Sequence, residues 1–153
     1  MKRVSDIKPA GRWNMASASD FIVLDAADRH RRRVVLVGEH GATYLLDLPK
    51  PAQLRDGDGL VIEDGSLVRV TGKPEALIEI SATSAQALAR LAWHIGNRHT
   101  DMQLVNGKLR IRRDHVLEDM LRGLGAILEF IEAPFDPEPG AYDHVHSFGH
   151  GHG

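Results

Sequence analysis

The sequence predicts an α+β protein, with an N-terminal all-β domain, a ferredoxin-like β-α-β-β-α-β domain and a mobile His-rich tail. Three observations support this fold class. Short β-branched runs separated by Gly- and Asp-containing turns dominate residues 33–70. Strand-like and helix-like apolar patterns alternate over residues 75–132. The last ten residues contain four His and too much Gly for a regular element.

Four strands are predicted in the first part of the chain, and each ends at a turn signal. Their sequences are RRVVLV, ATYLLDL, LVI and SLVRV. Gly and Asp between them supply turns, and a Pro-Lys-Pro segment is expected to end the second strand. The pattern is typical of a small antiparallel β unit, and Gly72 with Pro74 ends it. We therefore predict domains over residues 1–73 and 74–143, with the tail over residues 144–153.

The second domain is predicted to contain two helices and four strands. A Thr-x-x-Gln capping box at Thr83 starts the first helix, and Gly96 ends it. The second helix takes Asp114 as its N-cap and closes at Gly125. The predicted strands cover residues 75–81, 102–105, 108–111 and 126–132. This order of elements is that of a ferredoxin-like fold.

The two central strands of this domain form a hairpin whose register can be worked out. Asn106-Gly107 is a strong signal for a two-residue turn, which pairs Val105 with Lys108. The apolar face then carries Met102, Leu104, Leu109 and Ile111, and the polar, accessible face carries Asp101, Gln103, Arg110 and Arg112. Extending the register places His99 opposite Asp114 and beside His115. His99 is therefore either a metal ligand or a surface histidine without a ligand role.

Composition excludes several classes of function. The 19 Lys and Arg nearly balance the 21 Asp and Glu, which argues against a protein built to grip nucleic acid or an anionic membrane. The absence of Cys excludes thiolate metal sites and Cys nucleophiles. The sequence has no nucleophile elbow and no phosphate-binding loop, so we expect no enzyme activity. The start lacks an apolar leader segment, so we expect a cytoplasmic protein.

Histidine is the unusual part of the composition. Four of the nine His form two His-x-His pairs near the end of the chain: His144, His146, His150 and His152. Neutral imidazoles on a flexible segment can wrap one divalent cation, and all-nitrogen ligation suits Ni²⁺, Cu²⁺ or Zn²⁺. A purification tag or a solubilising tail is the alternative. A tag is usually an unbroken His run, so the interrupted pattern favours a natural metal-binding tail.

Two segments carry the most distinctive motifs, WHIGNRH at residues 93–99 and DHVLEDML at residues 114–121. They resemble the urease accessory protein UreE family, whose members are nickel metallochaperones. The resemblance continues in MQL, in PFDPEPGAY and in the His-rich end. In the first part of the chain, LDLP and LRDGD are similar to the family's β domain. The resemblance covers nearly all of the chain from about Asp28.

The resemblance implies a homodimer with a peptide-binding β domain and a ferredoxin-like metal-binding domain in each chain. His99 matches the His of the family's Gly-Asn-Arg-His motif, which shares one Ni²⁺ with its copy at the dimer interface. An accessory His-x-His pair before the second helix retains only His115, because Arg113 stands at the first position. The resemblance also implies that the tail captures Ni²⁺, and that the partners are the accessory GTPase UreG and the complex of urease apoprotein with accessory proteins.

Three functions stay open at this point. The first is nickel delivery for urease maturation. The second is general buffering or storage of Ni²⁺ or Zn²⁺ without a dedicated client. The third is a peptide-binding module in which the β domain does the work and metal binding is incidental.

Overall fold

The computed structural model describes residues 1–140, which group into two compact units, Met1–Lys73 and Pro74–Glu138. The four tail histidines of the predicted metal-binding arm lie outside the described residues. Within residues 1–140, neither helix has the length and the apolar character that crossing a membrane requires.

Within residues 1–73, six strands form one mixed sheet in the order β2-β6-β5-β1-β4-β3. The elements are β1 (Lys2–Lys8), a short 3-10 helix (Met15–Ser17), β2 (Asp20–Leu24), β3 (His30–Val37), β4 (Thr43–Gln53), β5 (Gly59–Ile62) and β6 (Leu67–Gly72). The β1–β4 and β2–β6 pairs are parallel, whereas the sequence predicts an antiparallel unit. Parallel partners come from distant parts of the chain, so no turn signal between them marks the pairing.

β4 continues beyond the point at which the sequence predicts its end. Arg31 of β3 pairs with Ala52, but Arg33 already pairs with Asp47. The β4 residues between these two pairs, which include Pro49 and Pro51, therefore bulge out of the ladder. Proline has no N–H, but at such a bulge this costs no inter-strand hydrogen bond, so the prolines do not end the strand. The prediction that the Pro-Lys-Pro segment ends the strand was wrong.

The core of the first unit is apolar and includes a buried carboxylate at its margin. Its buried residues are Ile22, Leu36, Tyr44, Leu46, Leu54, Leu60, Ile62, Val68 and Val70. The Asp20 carboxylate is 2% exposed and accepts hydrogen bonds from the Tyr44 hydroxyl (2.7 Å) and the His40 backbone N–H (3.0 Å). Burial opposes ionisation, but these hydrogen bonds hold the pKa of Asp20 below its usual range. Burial and the neighbouring carboxylate raise the pKa of Tyr44 to about 12.

The second unit has the predicted ferredoxin-like order. Its elements are β7 (Glu75–Ser81), α1 (Ala85–Asn97), β8 (Gln103–Val105), β9 (Lys108–Arg112), α2 (His115–Gly123) and β10 (Ile127–Ala133). The strands form an antiparallel sheet in the order β10-β7-β9-β8. Ser84, not Thr83, caps α1, because its hydroxyl accepts the Ala87 N–H at 3.1 Å. Adjacent Thr and Ser are both good caps, so sequence alone does not distinguish them.

The hairpin register predicted from the sequence is confirmed. Asn106 and Gly107 both have positive φ, 51° and 72°, as a two-residue turn of this type requires. Leu109 and Ile111 are buried in the core beneath the helices, but Leu104 is 56% exposed. β8 is the outer strand of the sheet, so only part of its apolar face is covered.

Candidate metal centre

His99 lies directly after α1, at a position that glycine usually occupies. The helix has Arg98 as its C-cap, and the backbone φ of His99 is 55°. The His99 N–H donates to the Gly96 carbonyl at 3.0 Å. The Thr100 N–H donates to the Ile95 carbonyl at 3.5 Å. These two bonds form a Schellman motif, in which a left-handed residue ends the helix.

This conformation has an energetic cost for His99 that glycine would avoid. A left-handed backbone costs an L-residue about 1–2 kcal/mol because Cβ approaches the following carbonyl oxygen. The side chain is exposed, and no hydrogen bond, ion pair or ring contact among residues 1–140 involves its imidazole. The two backbone hydrogen bonds support this conformation, whereas the imidazole makes no hydrogen bond, ion pair or ring contact within residues 1–140 and stays available for binding a ligand.

His115 is the first residue of α2, and its position follows from the cap before it. The Asp114 carboxylate accepts hydrogen bonds from the N–H groups of Val116 (3.0 Å) and Leu117 (3.1 Å). The His115 side chain is exposed and makes no hydrogen bond, ion pair or ring contact with the described residues. The start of α2 therefore exposes this imidazole to solvent and forms no hydrogen bond with it.

The predicted strand pairing of His99 with Asp114 does not form. The β8–β9 ladder stops at Gln103 and Arg110, and His99 belongs to the helix end instead. Beyond the ladder, Arg112 and Asp101 still face each other as the register predicts, and their side chains form an ion pair at 3.3 Å. The Schellman motif takes up the residues that the extended register would need, so this part of the prediction was wrong.

The predicted polar face of the hairpin is less accessible than expected. Gln103 is only 9% exposed, and its side-chain oxygen accepts the Asp136 N–H at 3.1 Å. Phe135 is fully buried, and the Arg112 guanidinium carbon lies 4.8 Å from its ring centroid. The chain after β10 thus returns across this face and covers part of it.

Arg113, two residues before His115, contacts a buried carboxylate and an aromatic ring. Its guanidinium donates to both oxygens of the Glu118 carboxylate, at 3.3 and 3.4 Å, and its carbon lies 3.9 Å from the Phe130 ring centroid. Glu118 is 3% exposed and also accepts the Asp114 N–H at 2.8 Å. Burial opposes ionisation, but these bonds hold the pKa of Glu118 below its usual range. Arg113 therefore compensates the buried charge of Glu118.

Residues 1–140 do not contain a complete set of metal ligands. No group of three or more His, Asp or Glu in this part of the chain is arranged to hold a metal ion. His99 and His115 each offer one exposed imidazole. A divalent transition metal in proteins usually has four or more ligands, so a site here needs donors from outside the described residues.

Two family models match the chain in succession. The model for the N-terminal domain of the UreE urease accessory protein matches residues 2–72, and the model for its C-terminal domain matches residues 75–153. This chain belongs to the UreE family.

Curated UreE proteins agree with this assignment over most of their length. The Urease accessory protein UreE of Rhodopseudomonas palustris (strain BisB18) is 54% identical over 93% of this chain and 67% of that protein. The one of Bradyrhizobium sp. (strain BTAi1) is 50% identical over 98% of this chain and 73% of that protein. The one of Rhodobacter capsulatus is 46% identical over 100% of this chain and 94% of that protein. All three are named as accessory proteins rather than as enzymes.

Several contacts of this UreE family member escaped the sequence reasoning. Gln103 is hydrogen-bonded to Asp136 and Leu104 to Glu138, each across more than 30 residues of chain, and no local pattern encodes these bonds. A buried Phe in a Pro-rich segment was the only available signal, because an aromatic ring in a free loop would expose apolar surface. The contact between Arg113 and Glu118 joins the residue before the N-cap of α2 to the fourth residue of the helix, and this separation of five lies outside the three- and four-residue spacings of helical charge pairs.

Proposed function

We propose that the protein is a nickel metallochaperone for urease maturation, which binds Ni²⁺ as cargo through His99 at a homodimer interface and through the tail histidines. Membership of the UreE family supports the role in urease maturation. The single observation that supports the site is the state of His99. Its backbone is in the strained left-handed region, and its exposed imidazole makes no hydrogen bond, ion pair or ring contact with residues 1–140. The proposed location is the cytoplasm.

The need for ligands from outside residues 1–140 supports a site shared by two chains. The His99 imidazole of a second copy supplies one further donor, and water or the tail histidines complete the coordination. The second unit also exposes large apolar side chains that a partner could cover: Trp93, Leu104, Val116, Leu124, Ile127 and Phe130. A site built from few protein ligands exchanges its ion readily, as a delivery protein requires.

The choice of metal rests on the family and not on the donor set. Imidazole nitrogen binds Ni²⁺, Cu²⁺ and Zn²⁺, and the intrinsic affinity order does not favour nickel. We therefore expect Zn²⁺ and Cu²⁺ to bind in vitro as well. In the proposed function, Ni²⁺ passes from this protein to the accessory GTPase UreG and on to the complex of urease apoprotein with accessory proteins. The N-terminal β unit would serve as a peptide-binding module for such partners.

The proposed site is tested by measuring Ni²⁺ stoichiometry and oligomer mass together at pH 8. All four tail histidines are replaced by Ala in the full-length chain, so that only the shared site remains. We expect one Ni²⁺ per two chains. Adding His99→Gly should abolish this binding, since glycine keeps the backbone conformation but removes the imidazole. His94→Gln, on the same helix, is the matched control and should leave the stoichiometry unchanged.

Unchanged Ni²⁺ binding in the His99→Gly variant would overturn the site. Delivery is tested separately, by Ni²⁺-dependent co-elution of the full-length chain with the accessory GTPase. A buffering or storage protein is the second candidate, because four of the last ten residues are His. It predicts Ni²⁺ binding without any Ni²⁺-dependent complex at micromolar concentrations.

A further inference from the structure

We propose that residues Pro134–Glu138 form a clamp that fixes the point from which the His-rich tail leaves the metal-binding unit, with Gln103 and Glu138 as its positioning residues. This inference rests on the proposed function and deepens it, because it assigns a role to contacts outside the ligand set. The clamp is defined by its hydrogen bonds to β8, which is the outer strand of the four-stranded sheet.

The first half of the clamp is held by burial and by one side-chain bond. The Phe135 ring is fully buried and lies beside the Arg112 guanidinium. The next residue, Asp136, donates its backbone N–H to the Gln103 side-chain oxygen at 3.1 Å. Gln103 is almost fully buried, so losing this bond would leave a desolvated amide without one of its partners.

The second half of the clamp pairs with the outer edge of β8. The Glu138 N–H donates to the Met102 carbonyl at 2.7 Å. The Glu138 carboxylate accepts the Leu104 N–H at 3.0 Å. One residue thus satisfies both an acceptor and a donor that an outer strand would otherwise leave to solvent. Because Glu138 is itself exposed, these two bonds and not burial hold it in place.

The clamp places the root of the tail close to His99 along the chain. Met102 is three residues after His99, a span of at most about 11 Å, and Glu138 is hydrogen-bonded to it. From Glu138 to His144 there are six residues, which can reach about 20 Å when extended. The first tail histidine can therefore reach the metal site of its own chain.

A fixed root raises the effective concentration of the tail imidazoles at His99. If the clamp opens as far as the buried Phe135, the number of residues from the last fixed residue to His144 rises from six to nine. Effective concentration falls roughly as the −3/2 power of length once the linker is long enough to span the two sites, so we expect about a twofold loss. The same stretch contains three prolines, Pro134, Pro137 and Pro139, which restrict the backbone conformations that it can adopt.

The test measures how much the tail adds to Ni²⁺ affinity in full-length chains with and without an intact clamp. Ni²⁺ affinity is compared between chains with native tail histidines and chains with all four replaced by Ala. In the double variant Gln103→Ala/Glu138→Ala, which leaves Phe135 buried, the tail's contribution should fall about twofold, while the tail-free affinity stays the same. Glu138→Ala alone should give a smaller loss in the same direction. Amide hydrogen exchange at Leu104 reports whether the clamp has opened.

Glu138→Gln is the matched control, because its amide oxygen can still accept the Leu104 N–H. It should keep the full contribution of the tail. An equal loss in Glu138→Gln, or no loss in the double variant despite faster exchange at Leu104, would overturn the clamp and leave the proposed function standing. If replacing the tail histidines changes no affinity even in the native background, the tail has no part in binding and the clamp falls with it. That failure is distinct from loss of the His99 site.

Discussion

His99 combines two properties that rarely occur together in a surface residue. Its backbone is in the left-handed region that usually belongs to glycine, and its side chain makes no hydrogen bond, ion pair or ring contact with residues 1–140. Replacing it with glycine would relieve strain and would leave every backbone hydrogen bond of the helix end in place. The imidazole is therefore the only group at this position whose loss would matter for binding.

Substitutions at His99 should separate stability from metal binding. We expect His99→Gly to raise the free energy of unfolding by about 1 kcal/mol, because the left-handed strain disappears. His99→Ala retains Cβ and should show no such gain, yet both variants should lose the shared Ni²⁺. Urea unfolding and Ni²⁺ titration of the two variants check this. A destabilised His99→Gly variant would show that the strain is absent or compensated.

At the scale of elements, the start of α2 is built around a buried carboxylate. Asp114 caps the helix, and the buried Glu118 carboxylate returns to the Asp114 N–H at 2.8 Å. Arg113 supplies the compensating positive charge. The helix start is thus stabilised by a network around a buried charge, and a second accessory histidine could not provide it at neutral pH.

Restoring the accessory pair should therefore lower stability. Arg113→His leaves the buried Glu118 carboxylate with fewer partners, so we expect a loss of about 1–3 kcal/mol in the free energy of unfolding at pH 7.5. The pKa of Glu118 should rise at the same time. The new imidazole next to His115 should raise the amount of Ni²⁺ bound per chain. Arg31→His, which removes an exposed pair with Asp28 in the first unit, is the control and should change stability by less than about 0.5 kcal/mol.

The elements that could be predicted from sequence are those whose signals are local. The Asn106-Gly107 turn determines the hairpin register, and the Asp114 cap determines where α2 begins. β1 and β2 were not predicted, because their partners lie far along the chain and no turn joins them. The candidate site likewise has a part that could be predicted from local sequence and a part that could not. His99 and His115 stand out by motif, whereas the clamp depends on contacts between residues 102–104 and 135–138.

At the scale of the whole molecule, each unit has its own apolar core and its own buried carboxylate. Asp20 belongs to the first unit and Glu118 to the second. Both have a pKa below the usual range in the folded protein. Each therefore contributes stability that is fully present above its unfolded pKa of about 4, and that contribution is lost as pH falls through the lower folded value.

Acidification should consequently release the metal before it unfolds the protein. Imidazoles take up protons near pH 6.5, so Ni²⁺ should leave between about pH 6.5 and pH 5. The two carboxylates keep their stabilising contribution down to about pH 4, so the fold should survive this release. Ni²⁺ binding and circular dichroism, measured across the same pH series, check the order. Coincident loss of metal and secondary structure would show that the metal, rather than the cores, holds the protein together.

The place of His99 beyond the last turn of α1 has an electrostatic consequence. The peptide dipoles of a helix sum to roughly half a negative charge at its C-terminal end. A cation bound at His99 therefore lies in a favourable field, and the interaction is twice as large for a divalent ion as for a proton. In the proposed site, the direction of α1 therefore favours a divalent cation at His99.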